Sequence, residues 1–167
     1  MRFSASVILS GLLATGAIAA PAGLKKRGVL TAQSYADFQV SDGVAGNALA
    51  EVQAKFPIDT SDLANVDAAD AKIISDARQT AESAETDAFN PAIAAASGDA
   101  ATALQNGKIK NKVLKLQLEV LDLQISQAQG GSDNTAKIAA EQKKLDTNIA
   151  TDKKNAGQAS QSVQFSG

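Results

Sequence analysis

The stretch KVLKLQLEVLDLQISQ, Lys112 to Gln127, constrains the fold more than any other part of the chain. From Leu114 to Val120 apolar and polar residues alternate, as on a half-buried strand. The alternation breaks at Val120-Leu121, where two adjacent apolar residues would send every later side chain to the other face. At about 100° per residue, Ile109, Val113, Leu116, Val120 and Leu123 instead fall within about 40° of one line, and Leu114, Leu118, Leu121 and Ile125 form a second ridge about 150° away. Each ridge keeps the spacing of a heptad core. No other segment reads as a strand, so a strand here would leave its backbone groups unpaired. The stretch is therefore a helix with two faces to cover, which predicts an all-α, antiparallel helical bundle of about four main helices.

Gly and Pro mark out the partner helices. In SDGVAGNALAEVQAKFP, the residues Val44, Ala45, Ala48, Leu49, Val52 and Phe56 share one side of a helical projection, and Pro57 stops the run. A second helix is expected after Asp59, Thr60 or Ser61 as cap, with Leu63, Val66, Ile73, Ile74, Ala77, Ala81, Ala84 and Ala88 as its stripe. It should end near Phe89, because Asn90 precedes Pro91. Asp70 falls inside that stripe and reads as an edge position meeting solvent or a lysine. One bent helix is expected from about Asp99 to about Gln129, with Gly107 hard to place inside it. Ser132 or Asp133 should cap a last helix with Ile138, Leu145 and Ile149 on a narrow stripe, and residues 158–167 read as a flexible tail with Phe165 tucked against the bundle.

The N-terminus carries export signals. Arg2, the apolar run Val7 to Ile18 and the small residues Ala17 and Ala19 have the three-part order of a secretory signal peptide over 1–19, cleaved after Ala19. Residues 20–27 then read as a propeptide ending in the dibasic pair Lys26-Arg27, two adjacent cations of the kind that kexin-type proteases cut. The domain proper is expected over 28–157. Removing Arg2, Lys25, Lys26 and Arg27 leaves 12 basic against 18 acidic residues, which disfavours nucleic acid as a partner. No later run is long and apolar enough to place a transmembrane segment in the mature form. Cysteine is absent, so the bundle has no disulfides although the signals imply an oxidising route.

Charge divides the mature chain unevenly. Residues 28–105 hold 12 acidic and 3 basic side chains, and residues from 106 onward hold 9 basic and 6 acidic ones. Two such halves attract when folded together. Lys108, Lys112 and Lys115 share one side of the central helix and form a surface patch that would meet anionic polysaccharide, lipid headgroups or the acidic half of the chain itself.

The chain has no histidine and no cysteine, which removes the usual general base, the commonest metal ligand and the thiol nucleophile. No phosphate-binding loop or calcium loop occurs. The reading is non-enzymatic, with no catalytic residues, no cofactor and no metal expected. A second reading takes the two-sided apolar helix as the lining of a lipid or hydrophobic-surface site in a cell-wall protein.

The signal peptide with its Lys26-Arg27 end, together with GVLTAQSYADFQVSDGVAGNALAEV, DAFNPAI and NGKIKNKVLKLQLEVLDLQ, resembles a family of small secreted proteins of filamentous ascomycete fungi. The resemblance spans nearly all of the mature chain. It implies a secreted protein acting at the fungal cell surface or host interface, effector-like, with an unknown host or cell-wall partner. None of these motifs is catalytic, and the resemblance transfers no binding residues.

Overall fold

A computed structural model describes residues 28–166; the segments expected to be a signal peptide and a propeptide, with the expected processing sites at Ala19, Lys26 and Arg27, lie outside the described residues. The helices are α1 (Tyr35–Phe38), α2 (Ala48–Lys55), α3 (Ala68–Ala84), α4 (Asn90–Ala95), α5 (Gly98–Ala128) and α6 (Thr135–Lys154). Two short strands, β1 (Gly43–Val44) and β2 (Ala159–Ser160), pair antiparallel. The chain is thus an all-α helical bundle with one small clasp.

The stretch that reads two ways is helical and central. It lies within the 31-residue α5, about 46 Å long at the usual rise. From its two ridges Val113, Leu114, Leu116, Leu118, Val120, Leu121 and Ile125 are buried, and Ile109 and Leu123 are half-buried. α3, α6 and α2 pack around it. Ile74, Ala77, Ala81 and Ala84 on α3, Val52 on α2 and Leu145 on α6 belong to the same core as the α5 ridges. Each large aliphatic side chain buried there contributes ~1.5–3 kcal/mol before the cost of ordering the chain is subtracted.

Three boundaries differ from expectation. Gly43 and Val44 join β1 rather than the helix that follows, and Val44 is half-exposed, so α2 starts at Ala48. The cap of α3 is Asp67, whose Oδ1 accepts from the Ala69 amide at 2.8 Å; Asp59 instead closes a turn, accepting from the Ser61 amide at 3.0 Å. At the far end of α3, Pro91 does not stop the helix. A π-turn at Glu85–Phe89, closed by the Asn90 amide on the Glu85 carbonyl, widens the coil and carries the chain into α4 with Asn90 and Pro91 at its start. A wider turn relieves the crowding a proline imposes on the preceding residues of an α-helix.

The described part of the tail, residues 158–166, is docked, which corrects the expectation that residues 158–167 are flexible. Ser160 is buried and its hydroxyl donates to the Ser41 carbonyl at 2.5 Å. The Gln161 amide donates to the Ala103 carbonyl at 2.9 Å and the Ser162 amide to Asp42 Oδ1 at 2.8 Å. Phe165 meets Tyr35 edge-on at 5.7 Å, Tyr35 meets Phe38 at 5.5 Å, and Phe38 meets Phe56 at 5.9 Å. This aromatic chain ties α1, the end of α2 and the tail together.

Candidate functional site

The three patch lysines do lie on one face of α5, because their angular positions fall together at about 240–300° when Ile109 is set to zero. That face looks onto the π-turn and the start of α4. Lys108 Nζ donates to Asn90 Oδ1 at 2.6 Å. Lys112 Nζ stands 3.5 Å from Glu85 Oε1 and Lys115 Nζ 3.2 Å from Glu85 Oε2, so a single half-buried carboxylate holds two cations, one on each oxygen. The seam continues through Arg78, whose Nη1 is 3.0 Å from Glu82 and whose Nε is 3.0 Å from Glu119, the second an ion pair by distance without the angle of a hydrogen bond. Arg78, Glu82, Lys112, Lys115, Glu119, Glu141 and Lys144 line a cleft of about 360 Å³ between α3, α5 and α6. Its charges nearly cancel. The acidic and basic halves of the sequence meet here, and the lysines serve mainly to join them.

Fixed charges inside the molecule were not legible as such. Lys110 is fully buried, with Nζ 2.8 Å from Glu51 Oε2 and donating to the carbonyls of Asp42 at 2.9 Å and Val44 at 3.1 Å. Two carbonyls accept from the ammonium and one carboxylate supplies the counter-charge that a buried lysine requires. A signal existed: Lys110 lies at about 100° on the wheel, between the two apolar ridges on their narrow side. Asp152, 2 % exposed on the last turn of α6, accepts from the amides of Gly46 and Ala48, each at 2.9 Å, and so caps α2 from across the bundle. Asp70 is also buried, not an edge residue; its carboxylate accepts from the Val29 amide at 2.8 Å and the Leu30 amide at 2.9 Å. Its place inside the apolar stripe of α3 was the clue.

A cleft of about 300 Å³ lies beside the N-terminal segment. Val29, Leu30, Phe38, Phe56, Ile73 and Ala77 form its apolar side, while Lys55, Asp76 and Thr80 form its polar side. No residue of α5 lines it. Among the described residues no helix is long and apolar enough to cross a membrane. Nor do three or more Asp or Glu side chains among them converge as metal ligands would.

Fold and site together define a cysteine-free helical domain in which ionic contacts join the two halves of the sequence. The chain belongs to the family described as a domain of unknown function, DUF8454, which it matches over residues 30–164, docked tail included. No curated protein and no solved structure matches it.

Proposed function

We propose that the protein is a secreted, non-catalytic helical protein that acts at the fungal cell surface or host interface, in the manner of an effector. The observation that carries this reading is the order of features at the N-terminus: a secretory signal, the dibasic pair Lys26-Arg27, and directly after it a segment whose Val29 and Leu30 amides are held by a buried carboxylate. A processing site next to an anchored segment suits a chain trimmed in the secretory pathway. The lack of histidine and cysteine supports a role in binding rather than catalysis.

The test is fractionation of a producing culture with the full chain epitope-tagged, together with host colonisation by a deletion strain. The protein is expected in the filtrate or wall-bound fraction, and the deletion strain should colonise less well. Retention inside the cell would end the reading; normal colonisation, with no binding to wall or host extracts, would end its surface role.

A lipid or hydrophobic-surface role is the second reading, and one observation favours it: the 300 Å³ cleft with its apolar side at Leu30, Phe38, Phe56 and Ile73. The α5 ridges that first suggested it belong to the core instead. Calorimetric titration with long-chain fatty acids should show saturable heat that Ile73→Asp abolishes.

A further inference from the structure

Asp70 sits in the first turn of α3, 3 % exposed, with both carboxylate oxygens turned to the segment that follows Arg27. Among the described residues no lysine or arginine pairs with it. A carboxylate taken out of water is costly without a counter-charge, and among the described residues its support is two neutral amides and a helix N-terminus. Gly28 lies against the same group. A Cβ on Gly28 would be 2.7 Å from Asp70 Oδ1 and 3.2 Å from its Cγ, closer than a side chain tolerates. The Gly28 nitrogen, one Cα away from that Cβ position, is therefore within about 5 Å of Oδ1 by bond geometry. Asp59, Asp62 and Asp67 line the same small cleft as Asp70 and add negative potential around it.

We propose that Asp70 is a socket for the amino group released when the Arg27–Gly28 peptide bond is hydrolysed. Water adds across that bond: its hydroxyl goes to the Arg27 carbonyl carbon, its hydrogen to the Gly28 nitrogen, and the new amine takes a further proton from solvent below its ordinary pKa of about 7.7–8.0. A dibasic-specific protease of the secretory pathway supplies the catalysis, and water is the only co-reactant. A neutral amide beside Asp70 becomes an ammonium, and a buried carboxylate without a cation gains one. Processing thus does more than remove a leader; it strengthens the fold at the start of α3. Glycine at position 28 lets the segment lie close against the carboxylate, since a Cβ there would force one of the two to shift. The inference rests on the processing step of the function proposed above.

The full-length chain, expressed in a secreting host that lacks the dibasic protease, is recovered uncut and then cleaved in vitro with that protease. Denaturant unfolding is measured before and after cleavage for the wild type, for Asp70→Asn, and for a variant with one serine inserted between Arg27 and Gly28, which moves the ammonium away without removing it. Cleavage should lower the unfolding constant about tenfold in the wild type and less than about twofold in the other two. No gain in the wild type would overturn the proposal. Equal gains in all three would also overturn it, because they would trace to losing the basic leader. If Asp70→Asn does not fold, the wild type and the insertion variant decide alone. Mass spectrometry of the product from a host that retains the protease reads separately whether the chain begins at Gly28, so failure of the processing step is distinguished from failure of the socket.

Discussion

Gly107, buried about a third of the way along α5, lies directly beneath the carbonyl of Gln161, and a Cβ at position 107 would collide with that oxygen and come within 3.2 Å of the Phe89 ring. Glycine inside a helix ordinarily costs ~1 kcal/mol relative to alanine. Here it allows the tail to cross the helix, where the Gln161 amide bonds the Ala103 carbonyl at 2.9 Å. Gly107→Ala should therefore destabilise by about 2 kcal/mol instead of stabilising. Hydrogen exchange at the Gln161 and Ser162 amides should speed up more than exchange in the middle of α5. A more stable Gly107→Ala variant would mean that the tail does not pack there.

The buried ammonium of Lys110 leads to a second expectation. Lys110→Met keeps most of the stem but leaves the Asp42 and Val44 carbonyls without a donor, and should cost about 2–4 kcal/mol in denaturant unfolding. Glu51, its partner at 2.8 Å, has a side chain 38 % exposed. Glu51→Gln should cost no more than about 1 kcal/mol, since water and the amide oxygen replace the lost charge. The two values should differ at least twofold. Equal small losses would show that water reaches the ammonium.

These two positions show what the sequence could and could not convey. The α5 helix was legible because burial on two faces leaves a periodic trace in the residue types, Val113 with Leu116 and Leu114 with Leu118, and Gly107 is itself in phase with the second ridge at about 160°. The tail was not, because β2 pairs with β1 across more than a hundred residues through backbone groups, which carry no side-chain signature. Pro91 was read as a stop because the proline rule is local, whereas the π-turn that absorbs it is held among α3, α4 and α5. Charged residues mislead in the same way. Lys110, Asp70 and Asp152 look solvated by type, and only the tertiary placement of Asp42, Val29 and Gly46 gives each its backbone partners. The lysine seam was half-legible: the shared face of Lys108, Lys112 and Lys115 followed from spacing, but Glu85 as the common partner of Lys112 and Lys115, and Asn90 as that of Lys108, did not.

Asp152 gives a third prediction. Its two oxygens bond the Gly46 and Ala48 amides, and Asn47, which stands at the head of α2, makes no side-chain cap of its own. Asp152→Asn would turn an amide donor toward one of those N–H groups and remove the negative charge at the helix N-terminus. Loss of about 1.5–3 kcal/mol is expected, with α2 amides exchanging faster than those of α3. Uniform exchange across the bundle would show that the cap does not act locally.

Tyr35 is the only tyrosine, and the chain has no tryptophan, so its ionisation can be read directly. The ring is 3 % exposed and the hydroxyl donates to Asn111 Oδ1 at 2.9 Å, with Asn111 in turn donating to the Ala81 carbonyl at 2.8 Å. Burial, the largest influence, pushes the phenol up from 10.0 to about 12 because the ionised form would be taken out of water. The folded pKa is the higher one, so the folded state keeps its proton longer than the unfolded chain. This contribution, about 2–3 kcal/mol, is fully present below pH 10 and is lost as pH rises through about 12. Tyrosinate absorbance should therefore appear near pH 12, or abruptly with unfolding. Tyr35→Phe should cost about 1 kcal/mol at neutral pH, since Asn111 Oδ1 loses its donor, and should flatten the fall in stability between pH 10 and 12 relative to wild type. A tyrosinate midpoint near 10 in the folded protein would place the phenol in water and contradict the packing of α1 against α3 and the hydrogen bond from Tyr35 to Asn111.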